Sequence, residues 1–428
     1  MTTRVPQARS ASAASSAVPV PPADREVTTL IAQLRHGPGR VDPYPVYARL
    51  RELGPLLPAP WGAWLATDYA TCARLLKDPA FAMPGPEHKD RQRPGWRRRS
   101  SLTAGAKSML QLNPPDHTVH RSSVTSALAR RALHRLRPRV HAMVDRQMEV
   151  LAGRLHRQGT ADFAHIVADT LPTLVMRDLL GLPEEDGVDL TSLCRAAAPI
   201  QELSPTRRQL DAADRATDQV LDYLAAEIRR RRARPAPGLL SDLVAAEDRT
   251  GRPDLALDVA ITLLFAGWPT TAATLNAVPL ALGRHPDQAA WLRARPEAVP
   301  GAVKEIMRWD PPVHVVTRTA HHDTFLADTF IPAGTTAHAL IGSAQRDPAL
   351  RSRPQLLDFA HPPRHTLAFG HGLHHCVGAQ LAQLEAETVL RALLQRFPDL
   401  HTRTPVRPFG FIIRDIDSLP VHLPAHQI

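Results

Sequence analysis

The stretch Phe369–Glu385 reads FGHGLHHCVGAQLAQLE, and its reading decides the fold. Gly370, Gly372 and Gly378 permit tight turns and close approach to a flat ligand. The segment that follows predicts a helix from Gly378 to about Phe397. Cys376 stands just before that helix, where backbone N–H groups and partial positive charge favour a thiolate. A thiolate so held is an iron ligand, a zinc ligand or a nucleophile. The bland alternative is a buried structural cysteine, which the glycines and the loop-to-helix position disfavour. His371, His374 and His375 flank Cys376 and raise zinc, but structural zinc wants four ligands in paired short spacings. No second Cys/His pair of that kind stands out, and one thiolate on a glycine-rich loop suits haem better.

A second stretch, Leu263–Thr274, reads LLFAGWPTTAAT. It lies in the most apolar long helical run, Leu255 to Leu282, which is predicted to be central and buried. Pro269 removes a backbone donor there and collides with the carbonyl four residues back, a cost of about 3 kcal/mol or more in an ordinary helix. The Phe265 carbonyl thereby loses its usual partner, and water is the expected substitute. The Thr270 hydroxyl is placed to bond a carbonyl in the preceding turn and open the helix locally.

The chain has 428 residues, 43% of them hydrophobic and 5% aromatic, so the core is large and mainly aliphatic. The net charge of +10 admits nucleic acid, an anionic surface or an acidic protein as partner, or simply an arginine-rich surface. No zinc-finger spacing or aromatic–basic RNA-binding signature supports nucleic acid. Cys72, Cys194 and Cys376 are odd in number and widely spaced, which excludes a disulfide framework and points to a reducing cytoplasm. No uninterrupted apolar run reaches the ~18–20 residues of a membrane span. Residues 1–25, rich in Ala, Ser and Pro, read as a disordered tail, and residues 26–428 as one domain.

Along that domain, Asp42–Leu53 and Asp68–Pro79 read as helices flanking a short strand in 61–67. Met83 to Ser101, with KDRQRPGWRRRS at its centre, reads as a long basic loop. Helices are expected from Pro115 to Leu180, from Pro205 to Arg232 and around PGAVKEIMRWD. After Pro311 short strands take over, in VVTRTA, in DTFLADTFIPAGTTAHAL, in FGFIIRD and in SLPVHLP. The expected class is mainly α with small β-sheets.

The segment Phe369–Glu385 closely resembles the haem-ligand signature of the cytochrome P450 family, F-G-x-G-x-H-x-C-x-G, matched at Phe369, Gly370, Gly372, His374, Cys376 and Gly378. Leu381, Ala382 and Glu385 fit the helix after it. KEIMR supplies the family's E-x-x-R pair as Glu305 and Arg308, HTVHR supplies His117 and Arg121, and TRTA supplies Arg318. IPAGT at Ile331–Thr335 and RDP at Arg346–Pro348 also fit. The resemblance runs from about Val41 to the C-terminus, and it is to the soluble bacterial branch.

The resemblance implies haem b between the long central helix and the Cys loop. Cys376 would ligate the iron, and His117, Arg121, Arg318 and His374 would hold the propionates. Phe369 and Gly378 complete the cofactor site, and Glu305 with Arg308 hold the fold. The third member of that pair's network is expected near Leu356 or Leu357, with Arg353 or Arg364 as substitutes. In the central helix the family's A/G-G-x-D/E-T pattern is matched by Ala266, Gly267 and Thr270, with Pro269 where the acid belongs. The small pair leaves room for dioxygen and Thr270 assists its activation. A hydrophobic substrate would meet Trp268, Val315, Val316, Ile412 and Ile413, with further contacts from 85–101 and 193–204. Arg91, Arg93, Arg97, Arg98 and Arg99 fit an anionic group, a carrier-bound substrate or an acidic ferredoxin, or are a solvated charge run.

The expected function is a cytoplasmic, monomeric haem-thiolate monooxygenase that hydroxylates or epoxidises a hydrophobic small molecule in natural-product biosynthesis. Electrons come from a separate ferredoxin and ferredoxin reductase. Three alternatives stay open: oxidative coupling or peroxide use without oxygen insertion, a catalytically silent haem binder, and a zinc-stabilised interaction protein.

Overall fold

The apolar run expected at the centre forms one unbroken helix, Leu255–Arg284, with Pro269 and Pro279 inside it. Its residues are buried almost all round, as a helix apolar on every face requires. In this computed structural model, which describes residues 20–36, 38–184, 187–406 and 410–424, helices Thr170–Leu180, Arg207–Ala233, Leu239–Thr250 and Ala379–Arg396 pack around it. It is the one helix among the described residues long and apolar enough to cross a membrane, and 67% of its apolar window is buried within the fold. No run within it is uninterruptedly apolar, since Asp258, Thr262, Thr270, Thr271, Thr274 and Asn276 punctuate it. The composition of a core helix and that of a membrane span coincide, and burial separates them.

Two other long helices frame this core. Arg130–Gln158 ends at Gly159, whose φ of 67° suits a residue without a Cβ. Arg207–Ala233 starts from a reciprocal cap in which the Thr206 hydroxyl takes the Gln209 N–H and the Gln209 side chain takes the Thr206 N–H. Helix Ala379–Arg396 lies against both Arg130–Gln158 and the central helix, so the segment that begins beside Cys376 is fixed by the core.

The main sheet has five strands in the order Leu56–Pro58, Trp64–Ala66, Thr336–Leu340, Val315–Ala320 and Phe81–Ala82. Trp64–Ala66 runs parallel to Thr336–Leu340, and Val315–Ala320 pairs antiparallel to it with Arg318 opposite Ala337. The period of two places Val316 and Arg318 on one face and Val315 on the other. The sheet carries its own buried clusters, one of them built on the helix Arg25–His36. That helix starts at the edge of the expected tail, and Val20 already packs on the sheet. Residues 1–19 of the tail lie outside the described residues.

Two local expectations are corrected. The basic segment is not irregular: it holds a helix Pro86–Gln92 and a turn Trp96–Arg98, and a further helix starts at Ser100. Pro86 at the first helical position is the start signal, since its missing N–H has no intrahelical partner to lose. FGFIIRD forms only an isolated bridge, Ile413 to Val313, beside a 2.7 Å bond from the His314 N–H to the Ile412 carbonyl. Phe409 within it lies outside the described residues.

Candidate active site

The helix Val299–Trp309 turns Glu305 and Arg308 inward, where both are buried. Arg308 grips the Glu305 carboxylate through Nε at 2.7 Å and Nη2 at 2.8 Å. Its remaining N–H groups reach the carbonyls of Gln345, Pro354 and Leu356 at 3.2, 2.7 and 2.8 Å. Glu305 also accepts from Arg351 at 2.8 Å and from the Asp358 N–H at 3.0 Å. The third member of the network is therefore Arg351, and neither Arg353 nor Arg364 takes that place. Leu356, near the expected position, contributes only its carbonyl.

The Cys loop is tied by a 2.9 Å bond from the Cys376 N–H to the Phe369 carbonyl. Gly370 and Gly372 hold φ of 72° and 69°. At Gly372 a Cβ would lie 2.6 Å from the Leu76 carbonyl, so only glycine lets the loop seat on helix Tyr69–Lys77. Phe369 is half-buried, its ring 6.5 Å from that of His375. Gly378 caps helix Ala379–Arg396, and a Cβ there would meet the Cys376 sulfur at 3.9 Å. The sulfur is accessible although protein surrounds it. Burial pushes its thiol up, against the Gly378 N–H and Arg121, which pull it down. A bound metal deprotonates a coordinating thiol outright.

Beside the loop four basic side chains converge. The rings of His117 and His374 lie 4.4 Å apart. His117 is 1% exposed, and among the described residues neither of its ring nitrogens has a hydrogen-bond partner; nor has His374 Nε2. Arg318 is 5% exposed and donates to the Met83 sulfur at 3.3 Å and to the Thr317 carbonyl at 2.8 Å. Arg121 donates to the His375 carbonyl at 2.8 Å. Desolvation pulls the Arg318 guanidinium down to about 10. Desolvation, then Arg318, His117 and Arg121, drive His374 down to about 3. No carboxylate is among the groups acting on His117, Arg318 or His374. Buried donors and cations in this state want anionic acceptors. The two propionates of haem b are such acceptors, so the residues present fit that group.

On the central helix, Phe265, Ala266, Gly267 and Thr270 are half-buried within an otherwise buried stretch, so an inner cleft borders them. The Thr270 hydroxyl donates to the Ala266 carbonyl at 2.9 Å, the expected back-bond. Pro269 is buried in an unbroken helix. A side chain takes the place of its missing N–H: Gln201 Nε2 donates to the Phe265 carbonyl at 2.8 Å. Gly267 serves packing, since a Cβ there would sit 3.2 Å from the Met176 methyl. Trp268 does not line a pocket. It is 1% exposed, its indole N–H donates to the Asp169 carbonyl at 2.8 Å, and Arg195 lies over its ring.

Val315 is likewise corrected: it is buried in the N-terminal cluster, on the sheet face away from Arg318. Val316, Ile412 and Ile413 are half-buried. Glu202 fixes the latter two, its carboxylate accepting from the N–H groups of Phe411 at 2.7 Å, Ile412 at 3.0 Å and Ile413 at 3.0 Å. The basic segment pairs much of its charge with neighbouring groups of the same chain, partly at the surface. Arg97 pairs with Asp90 and lies over the Trp96 ring. Arg99 pairs with Asp211 and Asp214, and Arg93 donates to the carbonyls of Glu202 and Leu203. Among the described residues Arg91 and Arg98 form no ion pair.

Sequence reasoning missed Arg351, Gln201 and Glu202. Among the described residues no group of three or more His, Cys, Asp or Glu is arranged to hold a metal ion, so nothing supports a multi-ligand zinc site.

Comparison with known proteins agrees with this geometry. The sequence pattern of the family described as Cytochrome P450 matches residues 297–408. The chain is 35% identical to the cytochrome P450 monooxygenase PikC of Streptomyces venezuelae, over 89% of this chain and 91% of that protein. It is 32% identical to the 6-deoxyerythronolide B hydroxylase of Saccharopolyspora erythraea, over 92% and 99%. The structure of P450BioI in complex with an acyl carrier protein ligated to hexadec-9Z-enoic acid superposes with a TM-score of 0.82 at 27% identity, covering 90% of this chain and 98% of that one. The Cys loop, the E-x-x-R pair and the long central helix thus stand in a known frame, and the chain belongs to the cytochrome P450 family of haem b monooxygenases.

Proposed function

We propose that this enzyme hydroxylates or epoxidises a hydrophobic small molecule during natural-product biosynthesis of the antibiotic kind, taking electrons from a separate ferredoxin and its reductase. The observation that carries the reading is the cluster of His117, Arg121, Arg318 and His374 beside Cys376, basic groups without a carboxylate of their own. Relatives named 6-deoxyerythronolide B hydroxylase and mycinamicin IV hydroxylase/epoxidase support the reaction type. The reading includes a monomer in the cytoplasm and one catalytic domain over 26–428.

Haem b, when bound, supplies the oxygen and electron chemistry. Cys376 holds the iron, and the four basic side chains hold the propionates through charge-assisted bonds. Phe369 and Gly378 shape the loop around that ligand. Ala266 keeps the central helix thin at the cleft. Thr270 carries a proton at Oγ1, which it now shares with the Ala266 carbonyl and turns inward when a better acceptor arrives. Pro269 carries none, so Thr270 is the group on this turn that moves a proton. Val316, Ile412 and Ile413 give the substrate an apolar wall and exclude water. The internal pairing of Arg93, Arg97 and Arg99 supports a free hydrophobic substrate over a carrier-bound one.

Pro269 in place of the helix acid favours one second reading, oxidative coupling or peroxide use, which needs less proton delivery. Turnover with a ferredoxin pair under labelled dioxygen separates the two. The proposal expects one labelled oxygen atom in the product. A coupled product without label would overturn it.

A further inference from the structure

Pro269 strips the Phe265 carbonyl of its helical donor, yet the helix passes through without a break. The replacement donor comes from another element. Gln201 ends the short turn Ala198–Gln201 and lays its amide nitrogen 2.8 Å from that carbonyl. The carbonyl belongs to the residue beside Ala266, whose own carbonyl takes the Thr270 hydroxyl. Two side chains thus secure successive carbonyls on the cleft side of this turn, one from within the helix and one from outside it.

The outside partner is itself anchored. Glu202, the next residue, binds the N–H groups of Phe411, Ile412 and Ile413, and Arg93 holds the carbonyls of Glu202 and Leu203. The strap 201–203 therefore joins three elements: the central helix, the Phe411–Ile413 segment and the basic segment.

We propose, resting on the monooxygenase reading above, that Gln201 is a positioning residue for oxygen activation: its amide substitutes for the backbone donor lost at Pro269 and fixes the turn from which Thr270 works. Gln201 touches neither substrate nor cofactor in this account. It acts through the Phe265 carbonyl, and Glu202 keeps it in place.

The test is a cycle of Gln201→Leu, Pro269→Ala and the double variant in the haem-loaded enzyme. Gln201→Leu leaves the carbonyl bare, so hydrogen exchange of the Leu263–Trp268 amides speeds up about fivefold, the effect of losing one ordinary hydrogen bond. The share of reductant that ends in product falls, while substrate affinity holds, because Glu202 still anchors Phe411–Ile413. Pro269→Ala restores the helical N–H, so in that background Gln201→Leu changes neither exchange nor coupling. Equal effects of Gln201→Leu in both backgrounds, or no effect in the parent, would overturn the proposal. A parent enzyme whose reduced carbon-monoxide spectrum lacks thiolate character would instead overturn the monooxygenase reading, and the exchange cycle reports on Gln201 independently of it.

Discussion

Two buried clusters of charge differ in one respect. Around Glu305 the chain supplies everything: a carboxylate, two arginines and the backbone carbonyls that use their spare donors. Around His374 it supplies donors and cations, a few neutral acceptors and, among the described residues, no carboxylate. Both clusters are paid for in desolvation, but only the first is completed within the protein. Burying charge without a partner costs too much to persist for packing alone. The complete cluster fits a scaffold, and the incomplete one fits the proposed seat for an anionic ligand.

The contrast predicts opposite signs for two similar truncations. Glu305→Ala strands two guanidinium groups in the interior and destabilises the chain by about 3–5 kcal/mol, seen as an early unfolding transition with or without haem. Arg318→Met removes a buried cation that the chain does not neutralise. The haem-free protein then melts no earlier than the parent, while haem is lost to a scavenger globin about tenfold faster, the effect of a charge-assisted bond of roughly 1.5 kcal/mol. An Arg318→Met chain that unfolds as early as Glu305→Ala would erase the distinction.

A smaller effect sharpens the same comparison. Glu385 is fully buried, neither carboxylate oxygen has a hydrogen-bond partner among the described residues, and desolvation lifts it from 4.5 to about 8. It stays neutral where Glu305 is paired. The folded state holds this proton more tightly than the unfolded chain, so the associated stability is full below about pH 4.5 and is lost as pH rises through about 8. Unfolding measured from pH 5 to 9 is expected to show that decline in the parent and a flatter profile in Glu385→Gln. Parallel profiles would mean that Glu385 is ionised in the fold.

What was legible in the sequence was what is local. The Cys loop, the E-x-x-R turn and the central helix each occupy consecutive residues, and each forms where it was expected. The Val315–Ala320 strand is also legible, and its alternation puts Val315 and Val316 on opposite faces. The short helix after Pro86 carried a start signal hidden among charges. Arg351 was not legible, because an irregular segment has no period from which to count. Gln201 was least so: nothing local marks it, and its partner is a main-chain oxygen freed by a proline 68 residues later. Trp268 was misplaced because a helix crossing a cleft also has a far side, and its indole faces Asp169 there.

The central claim is that Cys376, beside its cationic seat, is the thiolate ligand of haem b. The reduced carbon-monoxide difference spectrum of the haem-loaded protein tests it most directly. The parent is expected to show the long-wavelength band of a thiolate-ligated haem, and Cys376→His an imidazole-type band in its place. A parent spectrum already of the imidazole type, or a thiolate band that survives in Cys376→His, would contradict it.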